Sequence, residues 1–266
     1  MSLSLQKASF LKRISAYLLD FILTVILATG AAFVVSAIID FDSCSDAYSA
    51  KQDFYYAQME EKYDIDLHIS QETFEAMPET EQEEYRKTVD LIQAEVTQLL
   101  NADKEFLTLH YKMFTFMLLI FSLGLLTSIF LVYFVAPLIF KNGQTVGKKI
   151  FGLAVMRTNF VKISNPILFI RSIVGLYAME TMFPILMMLM IVFQLLGGIG
   201  LIVLVLLLIL QIGVMIATKT NSSIHDLLSD TVVVDLATQQ IFDTEEDLIA
   251  FKQKQHEENV NKPNTY

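Results

Sequence analysis

Several ionisable residues stand where the surrounding sequence is apolar. Asp20 lies inside an apolar run over 14–38, Arg171 and Glu180 inside another over 167–193, and His225 with Asp226 follows the last such run. An unpaired acid at the centre of a bilayer costs at least ~2.5 kcal/mol, so each such group needs a partner or a wet cavity. Residues of this kind are candidates for moving ions or protons. Histidine beside an acid titrates near neutral pH and suits a proton gate, although such a pair also caps helices and bonds neighbouring loops. No nucleophile and base pair, metal-ligand cluster or redox motif accompanies them. The expectation is a protein that is not an enzyme and uses no cofactor or metal.

A second stretch invites a different chemistry. "GQTVGKKIFGLAVMRTN" (143–159) has glycines followed by lysine, as nucleotide-cradling loops do. A phosphate loop needs four residues between its glycines, then Lys and a hydroxyl residue, after a strand. Here three residues separate Gly143 from Gly147, Lys149 occupies the hydroxyl position, and an apolar run precedes. Nucleotide and nucleic-acid binding are therefore not expected.

The elements that must position these groups are membrane helices. The chain has 266 residues, is 54% hydrophobic, has a mean hydropathy of +0.50 and is only 18% charged. Spanning a hydrocarbon core takes roughly 20 apolar residues. Runs over about 14–38, 113–140, 167–193 and 195–217 meet that length. The last two are nearly continuous, broken only by Pro184 and by the glycines at 197, 198 and 200, so two full spans or a re-entrant arrangement both fit. The first run contains Asp20 and exceeds a usual signal core, which argues against cleavage after "VVSA".

Charge placement predicts the orientation. Residues 141–171 carry six cations and no acid, and Lys7, Lys12 and Arg13 precede the first span. Lys and Arg in short loops near membrane ends stay cytoplasmic, so both termini are expected inside. Residues 40–105 carry eighteen acids and five cations, a net of −13, whereas the whole chain is −10. That acidic segment is expected outside. Its runs 46–64 and 78–110 are rich in helix formers. Tyr85, Val89, Ile92, Val96 and Leu99 form one helical stripe, against which Tyr55, Tyr56 and Tyr63 are expected to pack. The segment reads as a helical hairpin whose second arm runs into the second span. Its charge fits a solvated face, or a sensor of cations or basic peptides. Cys44, the single cysteine, reads as an idle thiol.

Seven helical steps return Asp20 to the face of Arg13, with Ala16 and Tyr17 between them. The two lie about 10 Å apart along the axis, too far to pair. Arg171 is the expected partner of Asp20. In a 3.6-residue helix Glu180, nine residues on, faces away from Arg171. It precedes Pro184, where a kink is expected. The β-rich runs 152–156 ("GLAVM") and 231–234 are expected to pair as a small cytoplasmic ribbon. In the polar tail, Thr244 can cap a short helix with Leu248 and Phe251 on its apolar edge, and the end is expected to be disordered.

Three segments resemble the RDD family of membrane proteins: "FLKRISAYLLD" with Arg13 and Asp20, "TVGKKIFGLAVM" with Gly147, Lys148 and Gly152, and "IHDLLSDTVVV" with His225 and Asp226. The resemblance implies a multi-pass bacterial membrane protein in which Arg13, Asp20 and Asp226 are the named residues, with exchange of sodium or potassium against protons as a suggested activity. Ser229 and Asp230 stand where the family has Ala-Gly, so the turn there must accept an aspartate. The long acidic segment also departs from the family.

The expectation is an all-α integral membrane protein of the bacterial cell membrane. It divides into the N-terminus and first span (1–40), an acidic extracytoplasmic helical insertion (41–111), the remaining membrane domain with its two-stranded cytoplasmic β-ribbon (112–236), and a cytoplasmic tail (237–266). Two functions fit. One is a small cation or proton transporter whose path comprises Asp20, Arg171, Glu180 and the His225–Asp226 pair. The other is a non-transporting adaptor whose insertion or tail docks a membrane-protein partner or a second copy.

Overall fold

A computed structural model of the chain describes residue 5 and residues 8–218 and 222–260. Lys7 and the end of the tail, 261–266, on which expectations fell, lie outside the described residues. The chain is an all-α membrane protein with a two-stranded sheet. Among the described residues, four helical stretches are long and apolar enough to cross a membrane: Phe10–Ile38, Lys104–Phe140, Asn165–Val192 and Gly197–Val214.

The first stretch is helix α1 (Phe10–Ile38). The segment Val34–Leu119 is a compact unit of its own. Within it α2 (Phe41–Tyr63), the short α3 (Gln71–Glu75) and α4 (Glu79–Ala102) precede α5, which begins at Lys104. α2 and α4 pair as the hydrophobic pattern predicts, with Tyr55, Tyr56 and Tyr63 packed on buried Ile92 and Val96. Leu100 rather than Leu99 completes the fully buried row, because the row advances by four-residue steps from Ile92. The second arm does not run unbroken into the span. Asp103 interrupts it with extended backbone, and its Oδ1 caps α5 by accepting from the Glu105 N–H at 2.8 Å. Its Oδ2 accepts from Lys51 Nζ and from the Tyr55 hydroxyl, both at 3.0 Å. Those bonds, that from Lys51 above all, lower its carboxyl to about 2.

The second compact unit comprises the residues up to Phe33 and those from Ile120 onward. α5 (Lys104–Ile129) continues as a π-helical segment, Phe130–Val135, and as α6 (Ala136–Phe140). Next come α7 (Val146–Ile150), β1 (Leu153–Arg157) and α8 (Asn165–Phe169). A second π-helical segment, Ile170–Met182, then leads into α9 (Phe183–Val192). Pro184 stands in the first turn of α9, where the i→i+5 ladder reverts to the α pattern. Gln194 and Gly197 take left-handed backbone, and α10 (Gly197–Ala217) packs back on α9, with Gly200 against Ile191. The stretch 167–217 is therefore two helices of spanning length joined by a tight turn. α11 (Ile224–Leu228), β2 (Thr231–Asp235) and α12 (Glu245–Val260) complete the chain.

β1 and β2 pair antiparallel, Leu153 opposite Asp235 and Arg157 opposite Thr231. One face of the ribbon, Leu153, Val155 and Val233, packs on Ala8 and Ala16. The stretch after β2 builds a separate cluster. Phe242 and Leu248 are buried with Val161, and Thr244 caps α12 by accepting from the Asp247 N–H at 3.1 Å. Asp247 reciprocates by accepting from the Thr244 N–H at 3.1 Å, which closes a capping box.

Candidate functional site

The wholly buried Asp20 carboxylate is met by the start of α7. The Thr145 hydroxyl donates to Oδ2 at 2.5 Å and the Gly147 N–H donates to Oδ1 at 2.7 Å. Lys148 Nζ stands 3.7 Å from Oδ2. A helix start leaves its first N–H groups without partners in the helix, and one of them here is given to a carboxylate. The approach is close because residue 147 lacks a side chain and residue 16 is alanine. A Cβ on Gly147 would lie 2.2 Å from the Ala16 carbonyl oxygen. The small-residue gap in the Arg13 to Asp20 stripe therefore admits α7, and Asp20 does not pair with Arg171 as its position in the sequence suggested. Lys148 faces the Tyr133 ring at 5.6 Å. Burial foremost, and then repulsion from Arg171, lowers its ammonium to about 8, against the pull of Asp20 and Asp226.

Arg171 belongs to a second cluster. Its Nη2 donates to Asp226 Oδ1 at 2.6 Å and its Nε to the same oxygen at 3.1 Å. Nε also reaches the Thr231 hydroxyl at 3.2 Å, so the first residue of β2 joins the cluster. Burial alone would raise the Asp226 carboxyl, but Arg171, then His225, outweighs it and holds that group well below the usual carboxylate range. Arg13 lies close enough to feel both Asp226 and Arg171.

Glu180 turns to the same side as Arg171, contrary to the reading from α periodicity. Oε1 accepts from the His225 N–H at 2.7 Å, and Oε2 is 2.8 Å from His225 Nδ1. The physical reason is the π-helical segment. An i→i+5 ladder holds more residues per turn, so about nine residues make two turns and return to one face. Arg171, Gly175 and Glu180 consequently line the contact with α11. A Cβ on Gly175 would lie 2.6 Å from the His225 Cβ, so this glycine sets how near α11 approaches.

The other ring nitrogen, His225 Nε2, stands 3.1 Å from Arg171 Nη2. Ser223, His225 and Glu180 are the residue types of a nucleophilic triad. The Ser223 hydroxyl, however, stands 3.0 Å from Nδ1 and 3.1 Å from Nε2. An oxygen equidistant from both nitrogens at that range lies off the ring plane, where it cannot hand a proton to a ring lone pair.

The structure thus divides the expected polar path into two clusters. Asp20 gathers Thr145, Gly147 and Lys148, while Arg171, Glu180, His225 and Asp226 gather around α11. Gly152, at φ +66°, makes the left-handed turn into β1, and its carbonyl accepts from the Leu236 N–H at 2.9 Å. Asp230 adopts φ 50° and is steadied by the Thr158 hydroxyl, which donates to its Oδ1 at 2.5 Å. Ser229 donates to the His225 carbonyl at 2.6 Å. Thr145, Gly175 and Thr231 are the members of these clusters that reasoning from the sequence missed. Thr145 opens the T-x-G-K segment and was open to discovery there, whereas nothing in the sequence distinguishes Gly175.

No curated protein and no solved structure matches the chain. The profile of the RDD family matches residues 7–230, a stretch that includes Arg13, Asp20 and Asp226. With most of its length matched, the chain belongs to the RDD family of membrane proteins.

Proposed function

We propose that this chain is a non-transporting membrane adaptor. In this reading the RDD residues brace the spans and the ribbon, and the Val34–Leu119 unit presents a docking surface. The observation that carries it is the saturation of Asp20, a wholly buried carboxylate whose two oxygens are both taken by donors of the chain itself. A carboxylate serving as an ion relay needs access to water or to the ion. The distribution of Lys and Arg supports both termini on the cytoplasmic side of a bacterial cell membrane, with the acidic unit outside. The test is crosslinking in cells from positions in the 34–119 unit, which is expected to capture one stoichiometric partner. The reading fails if no such partner is found and purified protein in vesicles moves Na+, K+ or H+ down an imposed gradient.

One observation favours cation or proton exchange as a second reading. Lys148, with an ammonium lowered to about 8, stands 3.7 Å from Asp20 and changes charge near working pH. Gradient-driven flux that Lys148→Met abolishes would establish it.

A further inference from the structure

The inserted unit carries a groove that the RDD clusters do not use. Between α2 and α4 a cavity of about 640 Å³ is lined by Tyr56, Leu67, Tyr85, Val89 and Ile92, with Asp53 and Glu60 at its margin. A second cavity of about 400 Å³ adjoins it and shares Tyr85 and Val89, and beyond them reaches Ile69, Phe74 and Asp90. The Tyr85 hydroxyl, donated to the Asp66 carbonyl at 3.0 Å, forms the divide between the two. Both are open depressions on the surface with a mainly apolar wall.

The acids around this groove differ in their commitments. Glu60 accepts from the Leu67 N–H at 2.8 Å, and Asp66 from the His68 N–H at 2.7 Å. Asp53 and Asp90, one on each cavity, make no hydrogen bond or ion pair among the described residues. Two basic side chains stand at the groove, His68 and Arg86, and Arg86 lies over the Phe74 ring at 5.2 Å. The segment 40–105 has a net charge of −13, so its field draws cationic partners and repels acidic ones.

We propose that this groove binds a cationic amphipathic peptide, which rests on the adaptor reading and names the chemistry of its partner. Two apolar side chains of the peptide enter the cavities on either side of Tyr85, and its basic side chains pair with Asp53 and Asp90. A polyamine would satisfy the acids and leave the apolar walls wet, whereas a neutral peptide would leave both acids unpaired.

The test uses the full chain in phosphatidylcholine nanodiscs. A displayed library of short random peptides is selected against it after subtraction on empty nanodiscs. The enriched peptides are expected to be basic and to carry two large apolar residues. Asp53→Asn with Asp90→Asn should weaken them about five- to tenfold, the effect of losing two exposed ion pairs. Ala57→Trp, at an exposed position on the cavity wall, should abolish binding. No enrichment over empty discs, enriched peptides without excess positive charge, or equal binding by the variants would overturn the proposal. Cation flux in vesicles with peptide binding intact would remove the adaptor reading alone. Lost binding without flux would remove the groove alone.

Discussion

Substitution of Gly147 by alanine tests the Asp20 cluster most directly. The added methyl would lie 2.2 Å from the Ala16 carbonyl oxygen and 2.9 Å from the Asp20 carboxyl carbon. The first of these is backbone, which cannot rotate aside. Relief requires α7 to retreat from α1, and overpacking of this kind costs about 1–3 kcal/mol. Retreat also withdraws the Gly147 N–H from a buried carboxylate, and losing a hydrogen bond to a charged group costs about 1.5–3 kcal/mol. The expected loss is therefore about 3–5 kcal/mol. Two other glycines serve as controls. Gly152 has φ +66° and open space around its Cβ position, so alanine there costs only backbone strain, about 1–2 kcal/mol. Gly30, inside α1 with nothing within 4 Å, should gain up to about 1 kcal/mol. The chain contains no tryptophan, so far-UV circular dichroism during reversible unfolding in mixed micelles is the suitable readout. If Gly147→Ala falls within about 1 kcal/mol of Gly152→Ala, the close approach of α7 to α1 is wrong. Ala16→Gly should not rescue Gly147→Ala, because the obstruction is the carbonyl of residue 16 and not its methyl.

Asp226→Asn strands Arg171 beside a neutral amide, and breaking a buried pair in this way should cost about 3–5 kcal/mol in the same assay. Because the folded Asp226 carboxyl is depressed, its contribution is fully present above the unfolded value of about 3.9 and declines as pH falls toward the folded one. A wild-type stability curve with no acid decline beyond that of the variant would contradict the pairing. Lys148 gives a slope of the same sign in a higher pH window. Its folded value of about 8 lies below the ordinary 10.5, so the unfolded chain binds the proton more tightly between them. Stability should rise with pH across that window by up to about 1.4 kcal/mol per unit, and Lys148→Met should remove the slope. Asp230→Ala keeps the left-handed backbone and loses the Thr158 bond, so it should destabilise by about 1 kcal/mol. Asp230→Gly relieves the backbone while losing the same bond, and should come out near wild type on thermal unfolding.

Periodicity and charge made much of the architecture legible. The four apolar runs, the pairing of α2 with α4, and the ribbon between 152–156 and 231–234 all follow from local pattern, since each buries or pairs a face that water or lipid would reject. The partners of the buried charges were less accessible. Assigning Arg171 to Asp20 looked for a cationic side chain elsewhere in the chain, whereas a backbone N–H and a threonine hydroxyl at the start of α7 answered the carboxylate. The orientation of Glu180 depended on 3.6 residues per turn in a segment that has an i→i+5 ladder, and no residue type announces that ladder. Asp230 was the reverse case. Its replacement of a family glycine predicted a turn that must accept an aspartate, and its φ of 50° is that turn.

The Arg171 and Asp226 pair also sets a schedule for synthesis. The two residues are 55 positions apart, with the turn at Gln194 and all of α10 between them. At about 5–20 residues per second, the ribosome adds the aspartate several seconds after the arginine. Throughout that interval the guanidinium is without its counter-charge. A chain that ends before residue 226 therefore carries the Arg171 guanidinium without the carboxylate that neutralises it.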